Sequence, residues 1–190
     1  MNVYDFDQTI YHPDSSYHFY FYCLKKHPRA VLPTLPKSLL LALRYRLGLC
    51  SAKELKEQLF SFLQALEDVD HVVESFWNEH HVHMQDWYLR QKREDDVIVS
   101  ASPEFLLKPM AKKHGFHLIG TLMDKRSGRI DGENCHDEEK VRRFRERFPF
   151  GRIEHFYSDS LSDTPLAKLA ERAFLVDRGR LSPWRKKDKH

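Results

Sequence analysis

Short apolar runs recur in the second half of this chain, alternating with segments of helical pattern. Val97-Ile98-Val99 is the clearest. Such a run is the mark of a strand buried on both faces, as parallel sheets require. His117-Leu118-Ile119, residues 153–158 and residues 173–176 read the same way, with helices expected over 138–147 and 164–171. Ser102 is placed to cap a helix with Pro103 at its first position, and Gly115 to end it. Ser127-Gly128 and Asp131-Gly132 are turn signals that suggest a hairpin over 121–131. Strands alternating with helices predict a parallel α/β sheet with right-handed crossovers.

The first strand, 2–7, stands apart from the others. Residues 13–92 between them are helical in pattern, with a capping box at Ser51 and Glu54 followed by Leu55, Leu59, Phe62, Leu63 and Leu66 at helical spacing. The sheet domain is therefore expected to be discontinuous, 1–12 plus 93–190, with a helical domain at 13–92. The chain has 190 residues, 41% apolar and 31% charged, and a formal net charge of +3, which suits a globular protein and argues against a nucleic-acid partner. It has no apolar run of the roughly 20 residues that span a bilayer, and its N-terminus lacks the pattern of a signal peptide. Cys23, Cys50 and Cys135 are widely spaced and fit a reducing, cytoplasmic location.

Ligand sites in parallel α/β sheets form beyond the carboxyl ends of the strands. Asp5 and Asp7, Ser100, and Asp159 with Asp163 all fall at such ends. On a strand, Asp5 and Asp7 would share one face, where mutual repulsion would hold one of them protonated unless a cation lay between them. With Asp159 they make an oxygen-only set of the kind that suits Mg²⁺. Lys140 falls in the first turn of a helix if Asp137 caps it, where the helix dipole disfavours a cation. That breach of a local rule can mark function, and a solvated surface lysine is the alternative. Ser100, followed by the free N–H groups of a helix start, could bind phosphate, or could simply begin a turn.

Together these segments resemble the haloacid dehalogenase superfamily. Asp5-Phe6-Asp7-Gln8-Thr9 is similar to its DxDxT motif, Val97-Ile98-Val99-Ser100 to its second motif, Lys140 to its third, and Ser158-Asp159-Ser160-Leu161-Ser162-Asp163 to its GDSxxD motif. The resemblance covers the whole sheet domain. It implies a Rossmann-like parallel sheet with helices on both faces and an α-helical cap inserted after the first strand, similar to that of phosphoserine phosphatase. It further implies a phosphatase acting on a small phosphorylated substrate, with Asp5 as nucleophile, Asp7 as acid and base, and Ser100 and Lys140 holding the phosphoryl group with backbone N–H groups near Ala101 and Ser102. Mg²⁺ would be held by the Asp5 side chain, the Asp7 carbonyl and Asp159, with Asp163 behind them. Thr9 and Asp14 are further expected substrate contacts, Asp14 standing where phosphoserine phosphatases carry a glutamate, although it could equally be a helix N-cap. Two positions depart from the pattern: Ser158 replaces a glycine, and His136-Asp137 stands where Gly-Glu is common. A non-catalytic phosphate-binding or regulatory module on the same fold is the reading from another class, opposed by the intact Asp5, Asp7, Lys140 and Asp159.

Three features lie outside these motifs. Leu39, Leu40, Leu43 and Leu47 form a stripe with Lys37, Arg44 and Arg46 nearby, and the tail 178–190 is basic with Trp184. Segments 37–49 and 178–190 could therefore touch an anionic membrane peripherally and bring in a lipid phosphate such as phosphatidylglycerophosphate, or be a packed helix and a solvated tail. His80, His81 and His83 invite a metal reading, against that of a solvent-facing cluster. Cys135 either borders the site or is buried packing. Oligomeric state is not legible.

Overall fold

A computed structural model describes residues 1–184. The sheet comprises β1 (Asn2–Tyr4), β2 (Val97–Pro103), β3 (His117–Thr121), β4 (Ile153–Ser158), β5 (Ala170–Asp177) and β6 (Arg180–Pro183), in the order β3-β2-β1-β4-β5-β6. All neighbours are parallel except β5 and β6. Between β1 and β2 run α1 (Ser15–Lys26), α2 (Pro28–Val31), α3 (Leu35–Arg46), α4 (Ala52–Phe60), α5 (Val69–His80) and α6 (Asp86–Gln91). The sheet region adds α7 (Glu104–His114), α8 (Glu138–Arg147) and α9 (Thr164–Ala167).

Alternation along the strands builds two cores. Val3, Val97 and Val99 face Phe144 of α8 and Leu166 of α9, with Ile153 and Phe156. Tyr4 and Ile98 face the other way, into a cluster that takes in Leu106 and Met110 of α7 together with Phe19, Phe60, Phe76 and Trp77 of the inserted helices. Buried aromatics tie the insertion down. Trp77 donates its indole N–H to the Leu106 carbonyl at 2.6 Å. Tyr4, Tyr157 and Phe174 stack across β1, β4 and β5, with ring centroids 4.7 and 5.1 Å apart.

The strand order turns outward on both sides of β1, so the switch point of the sheet lies beyond its carboxyl end. There β1 is shorter than the 2–7 expected. Strand pairing ends at Tyr4, and the Phe6 carbonyl then accepts N–H groups from Thr9, Ile10 and Tyr11, which turns the chain away from the sheet. β2 instead runs three residues beyond Ser100. Ser102 therefore lies in the strand and caps nothing, and Pro103 precedes α7 without a side-chain cap. Gly115 ends that helix at φ +78° as expected, in the left-handed conformation glycine adopts without cost. The segment 121–131 makes a hairpin-like turn through the Met123–Ile130 bridge. α9 stops at Ala167 rather than continuing to 171, because Ala170 begins pairing with Ile153 of β4. The first part of the basic tail is also ordered: a turn through Arg178 and Gly179 returns the chain as β6, and Trp184 donates its backbone N–H to the Ala173 carbonyl at 2.9 Å. Trp184 packs near Phe156, so the tail is not a free solvated segment up to that residue. Residues 185–190 of the expected membrane contact lie outside the described residues.

Candidate active site

The turn at Phe6 sends the two leading carboxylates in different directions. Asp5, buried, keeps its N–H on the Tyr157 carbonyl at 2.8 Å and points its side chain at Lys140, whose Nζ donates to Oδ1 at 2.7 Å. The same ammonium donates to Asp163 Oδ2 at 2.8 Å. Lys140 is buried and sits in the first turn of α8, so this is no solvated surface lysine. Asp137 precedes the helix at φ +50° without a side-chain cap, its carboxylate meeting His136 instead. Burial opposes the charge on Lys140, but Asp5 and Asp163 outweigh it and raise its pKa, so it stays protonated. Burial raises the Asp5 carboxyl to about 8; Lys140 pulls it down, while Asp163 and Asp7 push it up.

Asp7 faces the first inserted helix. Its Oδ1 accepts the Ser15 N–H and its Oδ2 the Ser102 hydroxyl, each at 2.6 Å. The Ser102 hydroxyl in turn meets Ser15 Oγ and Ser16 Oγ, both at 2.9 Å. The expectation that Asp5 and Asp7 share a strand face is thus corrected: they are neighbours with separate partners. Burial raises Asp7 to about 6, Asp14 adds to the rise, and the hydrogen bonds from Ser102 and Ser15 restrain it. A carboxyl in that range can both give and take a proton near neutrality.

The last expected motif surrounds Lys140 from the other side. Ser158 ends β4 without a left-handed backbone, and its hydroxyl donates to Asp163 Oδ2 at 2.7 Å, a contact glycine could not make. Asp159 is exposed, and its N–H donates to Thr9 Oγ1 at 2.9 Å. Thr9 is fully buried, and its hydroxyl anchors the Asp159 turn. Ser100, also buried, accepts the Ser102 N–H on its hydroxyl at 3.0 Å. The Ser102 N–H expected to hold phosphate is therefore engaged, and Ser102 acts through its hydroxyl on Asp7. Asp14 caps α1, accepting the Tyr17 N–H at 2.9 Å, and also lines the cavity over Asp7. Cys135 is buried, with its N–H on Thr121 Oγ1 at 3.0 Å, and packs in the core. His80 and His81 bond to the Phe76 and Trp77 carbonyls, and His80 packs on His18 with ring centroids 4.2 Å apart. Among the described residues they join no group of ligands spaced to hold a metal.

Lys140 is held between Asp5 and Asp163, and the Asp7 and Asp159 carboxylates lie near enough to add to the negative charge, Asp7 acting on Asp5, and Asp159 interacting with Asp163 and Lys140. Asp163 Oδ1 is buried with no hydrogen-bond partner among the described residues. Hard oxygen donors with surplus negative charge are the chemistry that Mg²⁺ takes. The chemistry of these donors fits such an ion, but among the described residues no three acidic, His or Cys side chains are placed to hold one, so a set built on Asp5 and Asp159 would need a backbone carbonyl such as that of Asp7 to complete it. Beside Asp7 lies a cavity of about 240 Å³, bounded by Tyr17, Tyr20, Tyr45, Leu55, Leu59 and Phe60 of the insertion and by Ala101 and Ser102 of β2. Lys56, unanticipated, reaches into it from α4 and donates to the Ala101 carbonyl at 2.9 Å and to Asn134 Oδ1 at 2.7 Å. Its only signal in the sequence is a position between Ala52 and Leu59 on the inward face of a capped helix.

A family model for haloacid dehalogenase-like hydrolases matches residues 3–168. The chain belongs to that family. Among its relatives, CicA of Caulobacter vibrioides is 40% identical over 99 residues, which is 48% of this chain and 45% of CicA. The match thus spans less than half of CicA's length. A protein of unknown function from Bordetella pertussis Tohama I superposes with a TM-score of 0.74 at 25% identity, over 91% of this chain and 87% of that one. A phosphoserine phosphatase solved as a phospho-aspartyl intermediate analogue superposes with a TM-score of 0.55 at 13% identity, over 90% and 83%. This haloacid dehalogenase-like hydrolase therefore has the fold of the phosphoserine-phosphatase-like members of its family, a mostly parallel sheet flanked by helices.

Proposed function

We propose that this hydrolase cleaves phosphomonoesters through a phospho-aspartyl intermediate on Asp5, with Mg²⁺ as cofactor and a small phosphorylated metabolite as substrate. The observation that carries the reading is the buried Lys140, held between Asp5 and Asp163 beside a cavity floored by Asp7. A lysine desolvated to this degree and aimed at a carboxylate supplies the fixed positive charge that phosphoryl transfer needs.

In this reading Asp5 reacts as the carboxylate, the form that the Lys140 charge and hydrogen bond favour against burial: its oxygen attacks phosphorus, a new P–O bond forms, and the bond to the leaving oxygen breaks. Asp7 gives its proton to that oxygen, helped by a pKa raised into the range of neutral pH. A water oxygen then attacks phosphorus, Asp7 takes its proton, and phosphate leaves Asp5 as a free carboxylate. Ser102 and Ser15 keep the Asp7 carboxyl oriented toward the cavity through both steps. Mg²⁺ would supply charge neutralisation that lets the phosphate approach Asp5. The cavity would seat the alcohol, its tyrosines and leucines against apolar parts, with Lys56 and Asp14 meeting polar ones. Ala101 and Ser100 border the phosphoryl position.

The test is hydrolysis of an aryl phosphate with and without Mg²⁺. Wild type should turn over only with the ion, and Asp5→Asn should be inactive while still unfolding in a single cooperative transition. Near wild-type rates from Asp5→Asn would remove the nucleophile assignment.

A further inference from the structure

The helical insertion presents an apolar surface that nothing among the described residues covers. The inward side of α3 carries Ser38, Leu41 and Ala42. Its outward side carries Leu39, Leu40, Leu43 and Leu47, exposed by 67, 54, 57 and 63%. Leu49, past the turn at Gly48, is 61% exposed. Single exposed leucines are ordinary on protein surfaces, but a contiguous row on one helix face marks an interaction site. At 3.6 residues per turn, Lys37 and Arg44 flank one edge of this row and Arg46 the other.

Charge identifies the partner. From Ser15 to Lys53 the chain has seven Lys and Arg (Lys25, Lys26, Arg29, Lys37, Arg44, Arg46 and Lys53) and no Asp or Glu. The net charge of +3 for the whole chain conceals this segregation. A second copy docked by two-fold symmetry would set this basic face against itself. A bilayer with anionic headgroups offers both complements at once: acyl chains for the leucines and negative charge for the rim.

We propose that the outward face of α3 docks on an anionic phospholipid bilayer. The leucines enter the boundary between headgroups and acyl chains, while Lys37, Arg44 and Arg46 lay their stems along the apolar surface and keep their charges at the headgroups. Tyr45, on the same helix, and Tyr17 both line the cavity over Asp7 and are about half exposed, at 46 and 49%. Docking therefore brings the cavity wall close to the membrane surface. The inference concerns binding and stands apart from the catalytic reading.

The experiment is sedimentation of the full chain with vesicles of phosphatidylcholine alone, or of two parts phosphatidylcholine to one part phosphatidylglycerol. The chain should sediment with the anionic vesicles only, and less as salt rises. Leu40→Asp with Leu43→Asp should weaken partitioning about 100-fold, and Lys37→Glu with Arg44→Glu about tenfold or more. Both pairs alter exposed side chains, so unfolding midpoints and aryl phosphate turnover should match wild type, which separates loss of docking from loss of fold or of catalysis. Failure of the wild type to bind anionic vesicles at low salt would overturn the proposal. So would binding that survives the leucine changes, or a wild-type dimer in solution that those changes dissociate.

Discussion

Replacing Lys140 by Met keeps the volume of the side chain and removes its charge. Asp5 Oδ1 and Asp163 Oδ2, at 2.7 and 2.8 Å from Nζ, would then face each other without a cation. Both carboxylates and the lysine are buried, so water cannot make up the loss. Removing one partner of a buried ion pair typically costs about 3–5 kcal/mol, a large share of the roughly 5–15 kcal/mol that holds a domain folded. Urea unfolding near neutral pH, followed by circular dichroism, should show a loss of that order. Adding Asp163→Asn to Lys140→Met should recover part of it, because one of the stranded charges is gone. Mg²⁺ should stabilise Lys140→Met more than wild type, since the ion would be the sole cation left among the carboxylates. Catalysis should fall about 10²- to 10³-fold, as for loss of one group that stabilises charge in the transition state. If Lys140→Met unfolds within about 0.5 kcal/mol of wild type, the size of a neutral surface change, Lys140 does not bridge the two carboxylates and the site is wrongly assembled.

Ser102→Ala removes the donor to Asp7 Oδ2, so the Asp7 pKa should climb above about 6. If Asp7 is the general acid, the alkaline limb of the kcat/KM profile should move to higher pH while the maximum drops, on the order of tenfold. Lys56→Met frees the Ala101 carbonyl and Asn134 inside the cavity; KM for phosphorylated substrates should change more than kcat, as steady-state kinetics will read. Burial holds the imidazole of His114 at about 4, below its ordinary 6.5. The unfolded chain then binds more protons than the folded one across that interval, so stability should fall as pH drops from about 6.5 toward 4, and the slope should flatten in His114→Gln when urea midpoints are compared.

The centre of the sheet was legible because short apolar runs, Val97-Ile98-Val99 above all, alternate with helical segments, whereas the exposed β6 was not. Lys140, Asp159 and Asp163 could be placed at strand and helix ends for the same reason. What stayed hidden depended on contacts distant in sequence. Ser102 looks like a helix cap until Asp7, 95 residues away, takes its hydroxyl. Nothing in the sequence shows that the Thr9 hydroxyl holds the backbone of Asp159, 150 residues away. Lys56 lies in an ordinary amphipathic pattern, and only the meeting of α4 with β2 shows that its ammonium enters the cavity. The length of β5 was set by pairing with β4 rather than by its own composition, so Ala170 and Glu171 read as helix and form strand. The leucine row of α3 was visible in the sequence, but its direction, away from the molecule, was not.

The central claim is that Asp5 carries the phosphoryl group during turnover. The direct measurement is acid quench of the working enzyme, borohydride reduction of the acyl phosphate, and mass spectrometry of the peptides. Phosphorylated Asp5 would be reduced to homoserine at position 5, in wild type and not in Asp5→Asn. Full hydrolytic activity with no modification at Asp5, or with the modification at another carboxylate, would contradict it.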